Sequence, residues 1–193
     1  MTLSIASFSK ACTKTVPGNY DHLFVVPYGD IDEVTWSDNE ATAITMVAAK
    51  KFADVEADLD GIQYTSSGEA QRGYMSEQNL IAKFTQKTAT LEKLVSELIN
   101  NSVCGLVAIR IDRNGKGWVS GIAPAVSQLK NMPYTRVTEE FDSGENMEAT
   151  EEGNRYTVTL TRMSATREYP IAGALVTTIL AGTDDFIDGH SST

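Results

Sequence analysis

The chain has few of the residues that most often carry chemistry. Among its 193 residues are two histidines, two cysteines and two tryptophans, and 16 basic residues stand against 26 acidic ones. His22 falls in a strand-like run and His190 lies far from it in sequence. No spacing gives either a third partner for a metal or for nucleophilic catalysis. The reading is therefore no metal, no cofactor, no catalytic residues and no enzyme. The basic deficit, a formal net charge of −10, argues against a nucleic-acid clamp, because affinity for phosphates comes from Lys and Arg. It argues equally against adhesion to an anionic membrane. No window approaches 18 apolar residues, so no segment is expected to span a bilayer.

Cys12 and Cys104 are read as two reduced thiols, with a disulfide between them as the alternative. Residues 1–15 have little apolar length and carry Lys10 and Lys14 late, so a signal peptide is not expected. The one G-x-G, Gly115-Lys116-Gly117, leaves a turn rather than opening a helix, which is the wrong place to cradle phosphate. Asp112-Arg113-Asn114-Gly115 resembles the start of a calcium loop but lacks the later ligands and the bidentate Glu.

What is present reads as one mainly β domain. Residues 1–19 form an N-terminal arm rich in Ser and Thr, residues 20–183 a β-sandwich core, and residues 184–193 an acidic tail. His22 to Tyr28 is a short apolar run expected to be a buried strand, and Asp30 to Trp36 continues as a turn and a polar edge strand. Between Ala41 and Asp60, β-branched Thr42, Ile44, Thr45 and Val47 favour strands over the helix that composition alone would allow. Tyr74 to Thr85 holds another strand.

Leu91, Leu94, Val95, Leu98 and Ile99 share one stripe at the helical period and predict an amphipathic helix near residues 88–101. Thr88 or Thr90 can cap it and Asn100-Asn101 suits its end. Cys104 to Ile111 is read as a buried strand. Asn114-Gly115 then predicts a type I′ hairpin turn, with Gly117 to Ile122 returning. A second hairpin joins Phe141–Thr150 to Arg155–Met163, with Tyr156, Val158, Leu160 and Arg162 on one face of the return strand. Ile171 to Ala181 fits either a strand or a short helix.

One constellation concentrates charge. Asp54, Glu56, Asp58 and Asp60 recur at every second residue. On a strand they would line one face over roughly 20 Å, at ~3.3 Å per residue. Such a face is either simply solvated or shaped to repel something negative, such as DNA moving past it.

The order of these pieces resembles a known family. A β-rich start and one amphipathic helix lead to Leu106-Val107-Ala108-Ile109-Arg110-Ile111, the Asp-Arg-Asn-Gly turn, Trp118-Val119-Ser120-Gly121 and a long polar hairpin. This organisation is similar to that of bacteriophage tail-tube and tail-ring subunits, those of crAss-like and other Bacteroidetes phages included, over residues 20–165. The resemblance implies a β-sandwich with a flanking helix that closes into homo-oligomeric rings. It also implies neighbouring tail proteins as partners, DNA passing through without sticking, no membrane partner, and a virion location after assembly in the host cytoplasm. Asp54, Glu56, Asp58 and Asp60 become candidates for a lumen-facing acidic surface. The long acidic middle and the Ser/Thr-rich N-terminus depart from well-known tube proteins. The alternative function is a monomeric β-sandwich module that binds a ligand such as a carbohydrate. It would need exposed aromatics, for which Trp36 and Trp118 are the only tryptophans available.

Overall fold

A computed structural model describes residues 20–55, 57, 61–67, 75–84, 88–124, 131–142, 155–165 and 167–181. The predicted arm, the tail, the tip of the second hairpin, Cys12 and His190 lie outside them.

Among the described residues, eleven strands and two helices make a mainly β, sandwich-like fold. In chain order they are β1 (Tyr20–Pro27), a single 3-10 turn (Tyr28–Asp30), β2 (Ile31–Ser37), β3 (Glu40–Met46), β4 (Ala53–Asp54), β5 (Ile62–Ser67) and β6 (Ser76–Phe84). They continue with α1 (Ala89–Ser102), β7 (Leu106–Asp112), β8 (Gly117–Ser120), β9 (Arg136–Asp142), β10 (Arg155–Ser164), β11 (Tyr169–Ile171) and α2 (Gly173–Leu180). Ladder hydrogen bonds run through the order β2-β3-β11-β8-β7-β1-β5-β6-β10-β9, with β4 added against β1.

The central pair β1–β7 explains the layering. In β1, Leu23 and Val25 point into one hydrophobic core while Phe24 and Val26 point into the other; in β7, Leu106 and Ala108 oppose Val107, Ile109 and Ile111 in the same way. Strands buried on both faces read as continuous apolar runs, which is why His22–Tyr28 and Cys104–Ile111 stand out in the sequence. The first core is completed by β5, β6, β10 and α1, the second by β2, β3, β11 and α2.

The first half curls. Tyr134 bridges Leu106 in both directions, with Leu106 N–H to Tyr134 O and Tyr134 N–H to Leu106 O each at 2.8 Å. The chain then continues into β9, which pairs with β10 at the far end of the order. The run β7-β1-β5-β6-β10-β9 thus bends back toward its own start, and α1 packs against both β9 and β7. Thr88 caps that helix, its hydroxyl accepting from Leu91 N–H at 3.1 Å. Leu91, Leu94, Val95 and Leu98 are buried while Ile99 is 39% exposed.

Two glycines permit the close approach at the bend. Gly105 has φ +89°, and a Cβ there would lie 2.4 Å from Pro133 Cγ. Gly121 has φ +102°, with the Leu106 carbonyl oxygen 2.9 Å from where a Cβ would sit.

Several sequence expectations hold. Residues 40–46 and 53–54 are strands. The face carrying Tyr156, Val158, Leu160 and Arg162 is buried. Residues 171–181 divide into the last residue of β11 and helix α2.

The turn assignment needs correction. Asn114 does not take positive φ; only Gly115 does, at +70°. The Asp112 carboxylate accepts from Asn114 N–H at 2.9 Å and Lys116 N–H at 2.8 Å, and so props open a longer loop. The two-residue turn with both φ values positive is Asp38-Asn39, at +49° and +66°, between β2 and β3. That backbone is the type I′ geometry.

Candidate functional site

The chemistry-bearing side chains converge where the curled half meets the second layer. Arg110 sits on the face of β7 that also carries Leu106 and Ala108, so alternation aims a guanidinium inward. It is 3% exposed. Its Nε and Nη2 bond both carboxylate oxygens of Glu168, whose side chain is 5% exposed, in a bidentate pair. The guanidinium carbon stands 4.3 Å from the Tyr64 ring centroid and 5.4 Å from that of Trp118, so two electron-rich faces flank the cation.

A second arginine extends the cluster. Arg162, 2% exposed, donates from Nε and Nη2 to Gln78 Oε1 at 2.9 and 2.6 Å, from Nη1 to Met132 O at 3.1 Å and from Nη2 to Arg167 O at 3.2 Å. Tyr64 also donates to Gln78 Oε1, at 2.9 Å, and Gln78 Nε2 donates to Ser76 Oγ, which donates to Ser164 O. Ser120 Oγ and Tyr134 OH share a 3.0 Å hydrogen bond, and Arg162 stands over the Tyr134 ring at 5.2 Å.

Burial dominates the electrostatics of this cluster. It pushes the Glu168 carboxyl above the usual carboxylate range despite the opposing pull of Arg110 and then Arg162. It pushes the Tyr134 phenol up to about 12. Tyr64 is also raised, by burial first and by the negative Glu168 second.

This arrangement is a buried girder. It ties β5, β6, β7, β8 and β10 to residues 167–168, the stretch that leads into β11. Its polar groups are turned on one another and away from solvent, which rigidifies a core and sets its register. Among the described residues, no group of three or more His, Cys, Asp or Glu side chains is placed to hold a metal ion. None of their helices is long and apolar enough to cross a membrane.

The acidic constellation is placed in part. Asp54 lies on β4, opposite Phe24 of β1, and is half-buried, while its neighbours Ala53, Val55 and Ala57 pack toward the first core. Glu56, Asp58 and Asp60 lie outside the described residues. Both tryptophans are half-buried. Trp36 packs edge-on against Tyr169 at 5.3 Å, and Trp118 stands beside Arg110, its cross-strand partner. His22 is half-buried and stacks on Phe24.

The sequence carries few signals of this cluster. Arg110 stands inside a run of apolar residues, and Arg162 shares a strand face with Tyr156, Val158 and Leu160. A charge in a two-sided buried strand must find a partner. Its partner Glu168 is 58 residues away, beyond any local pattern.

A second feature is backbone rather than side chain. Among the described residues, β2 pairs only with β3 and β9 only with β10, so both ends of the strand order are open edges. β5 pairs along its whole length with β6, and on its other side Ile62 pairs with Tyr20 of β1. Gln63, Thr65, Ser66 and Ser67 are exposed.

Comparison with known proteins gives no match to a family model, to a curated protein or to a solved structure.

Proposed function

We propose that this chain is a self-assembling structural subunit of a bacteriophage tail, in the tube or a tail ring, which forms homo-oligomeric rings around a DNA conduit. The observation that supports the reading is that β2 and β9, at the two ends of the strand order, each pair on one side only among the described residues. A row of unpaired N–H and C=O groups is a template for another chain, and closed symmetry is a common way to remove it.

The buried girder supports the same reading. Arg110 is bound by Glu168, and Arg162 by Gln78 and two backbone carbonyls inside the core, as suits a structural part more than a site that must meet a substrate. The net charge of −10 suits a conduit that DNA must slide through, because a basic lining would bind phosphates by releasing counterions. The carbohydrate-module reading loses ground, since Trp36 and Trp118 are engaged with Tyr169 and Arg110.

Negative-stain microscopy of the concentrated protein tests the proposal. Rings or short tubes with an open centre are expected. A field of isolated single subunits at every concentration would refute it.

A further inference from the structure

One face of the curled half is turned to solvent. In β10, Tyr156, Val158 and Leu160 point into the first core, so Thr157, Thr159 and Thr161 point away from it. The strands on either side carry charge toward the ends of that outward face. On β6 these are Glu77 and Lys83, on β9 Arg136 and Glu140. Between them stand Asn79 and Ile81 on β6 and Thr138 on β9, and β5 continues the face with exposed Gln63 and Thr65.

The charges on this face have a sum and a symmetry. The chain carries −10, yet here Lys83 and Arg136 offset Glu77 and Glu140. Two copies of an acidic chain repel one another in general, and a face whose charges cancel is where they can meet. On β6 the two charges are centred on Leu80, and on β9 on Thr138. Leu80 pairs with Leu160 and Thr138 with the adjoining Thr159, so one line across the sheet passes near both centres. Lay a second copy on the face, turned by half a rotation about that line. Lys83 then meets Glu77 and Arg136 meets Glu140, each pair occurring twice.

The face is also prepared for contact. Thr161 Oγ1 donates to Asn79 Oδ1 at 2.7 Å, and Asn79 Nδ2 donates to Glu77 Oε1 at 3.0 Å, which fixes the carboxylate in place. Its centre is made of Ile81, Thr138, Thr159 and Thr161, β-branched side chains with little rotamer freedom to lose.

We infer that this face docks on the same face of a second copy, as a two-fold contact between stacked sheets. Four strands at ~4.8 Å and seven residues at ~3.3 Å give roughly 400 Å² per copy, which suits a reversible contact more than a permanent one. The contact does not rest on the tail reading. It closes on itself, whereas a ring needs a head-to-tail contact elsewhere on the chain.

The test is sedimentation equilibrium of the intact chain up to about 1 mM, with charge reversals. The parent should show a monomer–dimer equilibrium that weakens with salt. Lys83→Glu breaks a pair at two places and sets like charges together, and it should weaken dimerisation by about tenfold or more, as should Glu77→Lys. Lys83→Glu/Glu77→Lys re-forms both pairs with the signs exchanged and should recover to within about threefold of the parent. Arg136→Glu and Glu140→Arg, singly and together, repeat the cycle at exposed positions on a different strand. A parent that stays monomeric throughout would overturn the inference, as would double variants no tighter than the single ones. Rings that form while dimerisation ignores both swaps would overturn it and leave the tail reading standing. Dimers that follow the swaps without any rings would support it and count against that reading.

Discussion

Removing the Arg110 guanidinium should cost this fold a large share of its stability, by an amount that depends on pH. Arg110→Met keeps the length of the side chain and deletes its charge. It leaves Glu168, whose side chain is 5% exposed, without its bidentate partner, and strips the cation from between Tyr64 and Trp118. Breaking a buried ion pair on one side costs about 3–5 kcal/mol, a substantial part of the 5–15 kcal/mol typical of a domain.

The sign of the pH dependence follows from Glu168. Burial already raises its pKa, and Arg110 is the first of the influences holding it down, so the variant raises it further. An acid whose folded pKa lies above its unfolded one contributes stability that is fully present below the unfolded pKa. That contribution is lost as pH rises through the folded pKa. The deficit of Arg110→Met should therefore be smallest near pH 4–5 and grow by up to about 1.4 kcal/mol per pH unit across the shifted window. Urea unfolding at a series of pH values, referred to the parent protein at each, reads this directly. The paired replacement Arg110→Met/Glu168→Leu removes both charges and should recover to within about 1 kcal/mol of the parent. A single-variant cost below about 1 kcal/mol, or one that is flat with pH, would refute the claim that this pair is desolvated and coupled.

Other parts of the account are open to equally direct checks. Leu94→Ala, at the centre of the buried stripe of α1, should lose about 2–5 kcal/mol through lost burial and a cavity, read as a lower thermal midpoint. Gly105→Ala should lose at least ~1–2 kcal/mol from the left-handed backbone alone, and more from the 2.4 Å approach to Pro133, whereas Gly29→Ala should be nearly silent. Tyr134 should ionise late. Its folded pKa of about 12 exceeds the ordinary value of 10.0, so its contribution is intact below pH 10 and is lost as pH climbs toward 12. Ultraviolet titration should then show at least one phenol that ionises only on alkaline unfolding. Changing Asp54, Glu56, Asp58 and Asp60 together to Lys should leave rings intact but make them hold DNA in the centre, released by salt; DNA on the rim or none at all would sink the lumen assignment.

The sequence made some elements legible and hid others for physical reasons. Helix α1 was readable because its burial is one-sided: Leu91, Leu94, Val95 and Leu98 repeat at the helical period. β10 was readable because Tyr156, Val158 and Leu160 face the core while Thr157 and Thr159 do not. The turn after β7 was misread because a side chain decided it. Asp112 bonds two backbone amides and stabilises a longer loop, and no dipeptide rule contains that competition. Asp38-Asn39 carries the tight turn with weaker signals than Asn-Gly would give.

The girder was hidden by distance. Arg162 meets Gln78 across 84 residues and Arg110 meets Glu168 across 58, contacts created by topology. β6 held a partial clue. Ser76, Gln78, Leu80, Ala82 and Phe84 alternate into the interior, so its polar members share the core-facing side with its apolar ones. The terminal position of β2 and β9 among the described strands is equally illegible, because an edge is defined by what does not pair with it once the sheet is assembled.

The central claim is that this subunit closes upon copies of itself. Sedimentation velocity of the intact chain over a hundredfold concentration range tests it most directly. The account predicts a monomer that gives way, as concentration rises, to one discrete larger species of fixed stoichiometry. A single monomer boundary that stays unchanged across the whole range would contradict it.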